Sequence, residues 1–298
     1  MAWLSLEFRV SGADVEVLSD ALFAVGALSV DVTDADQGSH EERAIYLEPG
    51  EDILLSWGRN SVVGLFDRQA YSDHILSALA SAVHPLKLPE PVEYRIDDQD
   101  WVRLTQQQFE PIQITQRLQI SPSWSAVKDG SDVNIILDPG LAFGTGSHPT
   151  TQLCLEWLEH HITTGKTVID YGCGSGILSM VAAKLGARKV YAVDNDETAL
   201  EIAQENIKNN KLGKIVSTVD TENLSIPKAD ILVANILLNP LMKLYGEFSR
   251  LTKKNSHIIL SGVLNEQAEK CLATYRDNFN MDKPVLKKSW VSLHGVRL

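Results

Sequence analysis

Residues 168–176 read VIDYGCGSG. An apolar run, KTVIDYG (166–172), enters Gly172, Gly174 and Gly176, and SGILSMVAAKLG (175–186) continues as a helix. Glycines at a strand end allow positive φ and close approach of a ligand, so strand, glycine loop and helix in this order mark the ligand-binding edge of an α/β sheet. The pattern is not that of a dinucleotide site. Such a fingerprint needs glycines at its first, third and sixth positions, but counting from Gly172 the sixth residue is Ile177, and from Gly174 it is Ser179. What stands here is acid–x–Gly–x–Gly–x–Gly, beginning at Asp170. A carboxylate at the strand end repels a pyrophosphate but suits a cationic ligand or the amine of an amino acid.

The next strand, VYAVD (190–194), ends in Asp194, where a carboxylate can accept hydrogen bonds from both hydroxyls of a ribose. The glycine loop that begins at Asp170 and this second acid together describe the S-adenosyl-L-methionine pocket of a class I methyltransferase. The alternative is a glycine-rich turn in another α/β enzyme, and Asp194 alone decides little, since strand-end acids are common. Downstream the alternation continues. DETALEIAQENIKNN (196–210) reads as a helix, ADILVANI (229–236) as a strand and PLMKLYGEFSRL (240–251) as a helix. SHIILSGV (256–263) is a strand, NEQAEKCLATYRDNF (265–279) a helix, and VLKKSW with VSLHGVRL (285–298) an antiparallel pair at the sheet edge. The expected catalytic domain, 126–298, is α/β and Rossmann-like, with a seven-stranded mixed sheet.

Upstream the pattern differs. WLSLEFRV (3–10) alternates as a strand, Val15, Leu18, Leu22 and Val25 recur at helical spacing, and LSVDVTDA (28–35) and SVVGLFD (61–67) read as strands around a polar loop, 36–52. A helix with Ile75, Leu76, Leu79 and Val83 on one face and a strand from Val92 complete the order βαββαβ of a ferredoxin-like α+β domain, 1–100. Residues 101–125 show no clean period and are expected to be a linker with a short helix.

Net charge is −12, but residues 1–100 hold 6 Lys+Arg against 19 Asp+Glu and 101–298 hold 21 against 20. An acidic first third repels nucleic acid and suits a basic partner; mild acidity for solubility is the plainer account. The longest apolar candidate, 21–30, lies between Asp20 and Asp31 and is too short to span a bilayer. Glu7 and Arg9 stand where a secretory leader would be apolar. Three widely spaced cysteines, Cys154, Cys173 and Cys271, fit neither a disulfide framework nor a zinc site. A cytoplasmic protein without metal or membrane attachment is expected, and nothing requires more than a monomer.

Two further stretches narrow the class. The strand read at 229–236 puts Asn235 at its C-terminal end, beside the cofactor in this topology. Amino-group methyltransferases often carry Asn/Asp–Pro–Pro–aromatic there, whereas this chain has Asn235-Ile236-Leu237-Leu238 and only then Asn239-Pro240. Helix N-capping is the other role open to Asn235. A second glycine patch, DPGLAFGTGSHPTT (138–151), precedes the cofactor loop; on local grounds it is a pre-helix turn, with Thr150 and Thr151 starting the helix. His148, before Pro149 in a turn, reads as structural, with a general base as the alternative. With these stretches, and with Trp101 opening the connector, the chain closely resembles, over essentially its whole length, the PrmA-type protein methyltransferases, which modify the eleventh protein of the large ribosomal subunit. DPGLAFGTGSHPTT is the most specific element. The resemblance implies cofactor contacts at Thr151, Gly172, Asp194 and Asn235, with Asp170 and Gly174 shaping the loop, Thr150 reaching the cofactor, and Phe143 near the methyl group. It implies methylation of lysine side chains and an N-terminal α-amine of a basic ribosomal protein, up to the trimethyl state. A hinge at 95–125 would let one catalytic centre meet several target amines. The first patch would then form the opposite wall of the pocket.

Two rivals share the sheet. An RNA or small-molecule methyltransferase would need a basic face or stacking aromatics on the accessory domain, which the first hundred residues lack. A non-catalytic descendant would carry a damaged loop, yet Asp170, the three glycines and Asp194 are intact.

Overall fold

A computed structural model describes residues 2–39, 57–84, 87–97, 109–125, 132–138 and 144–298. The chain divides into two compact units, Met1–Leu104 and Thr105–Leu298.

In the first unit, β1 (Ala2–Ser11), α1 (Val15–Ala24), β2 (Ser29–Asp34), β3 (Arg59–Phe66), α2 (Ser72–Ala82) and β4 (Val92–Asp97) follow the βαββαβ order read from the sequence. The sheet runs β2-β3-β1-β4, antiparallel throughout. Its one covered face seats Leu4, Leu6, Phe8, Val62 and Phe66 against Leu18 and Leu22 of α1 and Ile75 and Leu79 of α2. These are the period-2 and helical-spacing residues of the sequence, turned to one side as the pleat and the 3.6-residue turn require.

The second unit holds a sheet of eight strands. These are β8 (Thr167–Tyr171), β9 (Lys189–Asp194), β10 (Val216–Asp220), β11 (Ala229–Asn235), β12 (Thr252–Leu264), β13 (Phe279–Met281), β14 (Val285–Lys287) and β15 (Trp290–Arg297). Seven lie on one path, β10-β9-β8-β11-β12-β15-β13, and β14 pairs β15 off it. The expected antiparallel pair is present as β14 and β15, but β15 is an interior strand and not the edge, and β10 and β13 are strands that the sequence pattern did not single out. Strands β8–β12 are parallel, and β15 runs antiparallel to β12, β13 and β14.

Central strands are covered on both faces, and alternate residues go to opposite sides. Val168, Ile231 and Val233 face one core with α3 (Pro149–His161), α4 (Ile177–Lys184) and α5 (Glu197–Asn209). Ile169, Tyr171, Leu232 and Ala234 face the other, with α6 (Leu238–Lys243), α7 (Tyr245–Leu251) and α8 (Ala268–Tyr275). The order reverses between β8 and β11, and in open α/β sheets ligands lodge at that switch point, beyond the carboxyl ends of the strands.

The expected linker is only partly one. Residues 101–108 lie outside the described residues, but β5 (Ile112–Gln113) and β6 (Leu118–Ser121) form a small sheet with β7 (Val133–Ile136). Leu118, Ile120, Val133 and Ile135 belong to the first core of this unit. Among the described residues no helix is long and apolar enough to cross a membrane.

Candidate active site

Three strand ends meet a glycine loop at the switch point. Leaving β8, the chain takes φ of 74°, 51° and 78° at Gly172, Gly174 and Gly176. The loop is pinned to β9 by Gly172 N–H and Cys173 N–H, which donate to the Val193 carbonyl at 2.7 and 3.0 Å. A side chain at Gly176 would press on Ala203 of α5 at 3.2 Å, which is why loop and helix pack so closely.

Asp170 is fully buried. Its Oδ2 accepts from the Ser179 N–H at 2.9 Å and the Ser179 hydroxyl at 2.8 Å, while its Oδ1 has no partner. Burial pushes its pKa up to about 7, against the lowering effect of the two Ser179 bonds, and the nearby Asp194 adds to the rise. Asp194, at the end of β9, is nearly as enclosed. Its Oδ1 accepts from the N–H groups of Asn195 and Asp196 at 2.9 and 3.2 Å, and its Oδ2 from Gly174 N–H at 2.9 Å. A carboxylate has about four lone-pair sites, so one remains, on Oδ2. The loop therefore leaves room for one further donor, where the sequence suggested two.

Asn235, ending β11, gives its Nδ2–H to the Thr151 hydroxyl at 3.2 Å and keeps Oδ1 buried without a partner. It is not a helix cap, because α6 begins three residues later with Leu237 in the cap position. Thr151 is fully buried. Thr150 turns elsewhere, its hydroxyl lying 2.7 Å from His148 Nδ1. That nitrogen also accepts the Thr150 N–H at 3.3 Å, so His148 is the cap of α3. With Nδ1 accepting, the neutral ring carries its proton on Nε2, and its one lone pair is engaged by Thr150. Burial, helped by Lys288, lowers its pKa, and its ring lies edge-on to Trp290 at 5.0 Å.

The described part of the first glycine patch lies directly against the second. The Ser175 hydroxyl donates to the Gly144 carbonyl at 2.8 Å, and Gly146 packs on Ile120 and Ile177. These residues brace the loop. Phe143 lies outside the described residues. Thr151, Asp170, Gly172, Gly174, Asp194 and Asn235 belong to β8, β9, β11, the loop that follows β8, and the start of α3. Ser179 and Ser175 were not singled out by sequence; a serine in a helical stretch carries no signal until its acceptor is known.

Chemically, the arrangement offers two buried acceptors, Asp170 Oδ1 and Asn235 Oδ1, on neighbouring strands, with a third open position on Asp194. Open acceptors suit a ligand that is cationic and carries N–H and O–H groups, as S-adenosyl-L-methionine does. Among the described residues no group of three or more His, Cys, Asp or Glu side chains is placed to hold a metal ion.

The family described as ribosomal protein L11 methyltransferase (PrmA) matches residues 2–298. The ribosomal protein L11 methyltransferase of Cupriavidus metallidurans is 43% identical over 298 residues, covering 100% of this chain and 97% of its own length. That of Chromobacterium violaceum is 42% identical over 303 residues, covering 100% and 99%. Among solved structures, a ribosomal protein L11 methylase from Lactobacillus delbrueckii subsp. bulgaricus superposes with a TM-score of 0.58 at 32% identity, covering 63% of this chain and 99% of that one.

Proposed function

The chain belongs to the ribosomal protein L11 methyltransferase family, and from that premise we propose that it transfers methyl groups from S-adenosyl-L-methionine to amines of the eleventh large-subunit ribosomal protein. The targets are lysine side chains and the N-terminal α-amine, up to the trimethyl state. The observation that carries this reading is the pair of buried, unpartnered acceptors at the switch point, Asp170 Oδ1 and Asn235 Oδ1.

Bound S-adenosyl-L-methionine supplies an electrophilic methyl group on a sulfonium. Asp194 holds the ribose through the open position on Oδ2, and Asp170 Oδ1 takes the cationic end. Thr151 fixes the Asn235 amide so that Oδ1 faces the target nitrogen and accepts one of its N–H bonds, leaving the lone pair to point along the line of attack. The amine must arrive neutral. At pH 7 that costs about 4–5 kcal/mol for a lysine and about 1 kcal/mol for an α-amine. A dry pocket beside a positive charge lowers the amine pKa and removes part of this cost, so no dedicated base is needed, which agrees with His148 serving as a cap. The acidic first unit suits a basic ribosomal protein as its docking partner.

Calorimetry with S-adenosyl-L-methionine, then mass spectrometry of the ribosomal protein after reaction, tests the reading. Wild type should bind the cofactor and add methyl groups to several amines, and Asn235→Ala should lower the rate about 10²-fold, the cost of a misaligned reactant. Full activity in that variant would remove Asn235 from its role, and absence of any heat would remove the cofactor.

A further inference from the structure

Strand β12 breaks its pairing beside Asn235. Leu260 faces Leu293 of β15 and Val263 faces Val291, so Ser261 and Gly262 stand together opposite the single residue Ser292. This is a β-bulge, and Gly262 takes φ of +86°, a conformation that L side chains rarely adopt. On the other side of β12, Ser261 is the register partner of Asn235 in β11. The chain leaving Asn235 therefore crosses the bulge, and it does so in contact. A Cβ on Gly262 would lie 2.3 Å from the Ile236 carbonyl oxygen, 2.7 Å from its carbon and 3.1 Å from its nitrogen. All three are backbone atoms and cannot rotate away. The Ile236 side chain is seated in the same manner on the cofactor loop, its Cγ2 lying 2.3 Å from where a Cβ on Gly172 would stand. Ile236 is thus held between two glycines, Gly262 in β12 and Gly172 in the loop that follows β8.

Bulges next to reactive sites re-aim a side chain. We propose that the Ser261–Gly262 bulge is a positioning element for methyl transfer: by having no side chain at 262 it seats the Ile236 peptide, and so aims Asn235 Oδ1 at the incoming amine. The inference rests on the role given to Asn235 under the proposed function. It adds a residue that acts only through Asn235.

The test is a double-mutant cycle read in single-turnover rate, with the cofactor Kd measured separately. Gly262→Ala must shift the Ile236 backbone, and should slow transfer about 10- to 100-fold while the KM for the ribosomal protein and the cofactor Kd change less than about twofold. Gly262→Ala/Asn235→Ala should be no slower than Asn235→Ala alone, because a residue acting through another adds nothing once that other is gone. If Gly262→Ala does not fold, Ile236→Ala relaxes the same clamp from the Gly172 side. It should slow transfer several-fold, again without adding to Asn235→Ala. Additive losses, or unchanged rates in the variants that fold, would overturn the proposal. A fully active Asn235→Ala would instead overturn the reading beneath it, so the two failures are told apart by that one variant.

Discussion

At its amino end β11 carries Asp230, whose Oδ1 takes the Lys253 ammonium at 2.8 Å and whose Oδ2 takes the Thr167 N–H at 2.9 Å. At its carboxyl end the same strand carries Asn235, whose Oδ1 takes nothing. Neighbouring β8 repeats the contrast, with Thr167 engaged at its start and Asp170 Oδ1 orphaned near its end. Four buried side-chain N or O atoms lack a partner among the described residues, and two of them are these oxygens, on adjacent strands at one edge of the sheet. An unmet buried acceptor costs about 1–3 kcal/mol. At one end of these strands the polar side chains are paired, and at the other two buried acceptors stand open.

The comparison breaks most visibly at Asp194. Asp194→Ala removes the open position on Oδ2 together with the acceptor that pins Gly174. A charge-assisted hydrogen bond is worth about 1.5–3 kcal/mol, so the cofactor Kd should rise about a hundredfold, and the loss of the acceptor for three N–H groups should lower the melting temperature as well. A Kd within threefold of wild type would mean that the ribose is held elsewhere.

Asp170 sharpens it through pH. A carboxyl with its pKa near 7 is protonated below that point, so a cationic ligand meets a neutral partner there. Cofactor affinity should fall as pH drops below about 7, by at most about tenfold per unit. Stability of the free protein runs the other way. The folded state holds this proton more tightly than the unfolded chain, so the contribution is full below pH 3.8 and is lost as pH rises through about 7. Asp170→Asn should weaken binding about tenfold at pH 8 and flatten its pH dependence; calorimetry from pH 6 to 8 decides it.

Much of this edge is legible in the sequence because its signals are one-dimensional. Strands β8, β9 and β11 are buried on both faces and stand out as continuous apolar runs closed by an acid or an amide. Edge strand β10 mixes polar residues into VSTVD, and β13 has only three residues, so neither rises above its surroundings. The small sheet is hidden for a related reason: LQIS and VNII are too short for a period, and they pair across an intervening stretch. At the site, the identities of Asp170, Asp194 and Asn235 are readable, but which oxygen is occupied is not. That depends on Ser179 and Thr151, which reach those side chains only after folding. Gly262 carried a faint signal, a glycine inside a β-run, which marks a bulge or a close approach.

The paired edge should answer to stability alone. Asp230→Ala strips partners from Lys253 and from the Thr167 N–H, and should cost about 1–2 kcal/mol in urea unfolding while leaving the cofactor Kd unchanged. Burial pushes the Asp230 carboxyl up, but the Lys253 bond, the Thr167 N–H and the charges of Lys253 and Lys166 outweigh it and hold its pKa below the usual value. Its contribution is therefore present above about pH 4 and lost on acidification. A changed Kd in this variant would dissolve the division between the two edges.

The smallest effect should come from the histidines. His294 Nδ1 lies 2.6 Å from Asp282 and its Nε2 lies 3.0 Å from His257 Nδ1. With Nδ1–H given to Asp282, His294 Nε2 accepts from His257 Nδ1–H. Burial lowers the His257 pKa, as do the charges of His294, His161 and Lys166, while Asp282 opposes them. A histidine with a depressed folded pKa is less protonated than in the unfolded chain. Its effect is neutral above about pH 6.5, and stability is lost as pH falls from there towards the folded value, by no more than about 1.4 kcal/mol per unit. His257→Gln should therefore lose less stability than wild type between pH 7.5 and 5.5 in urea unfolding. Equal losses would show that His257 takes up its proton in the folded protein as freely as in the unfolded chain.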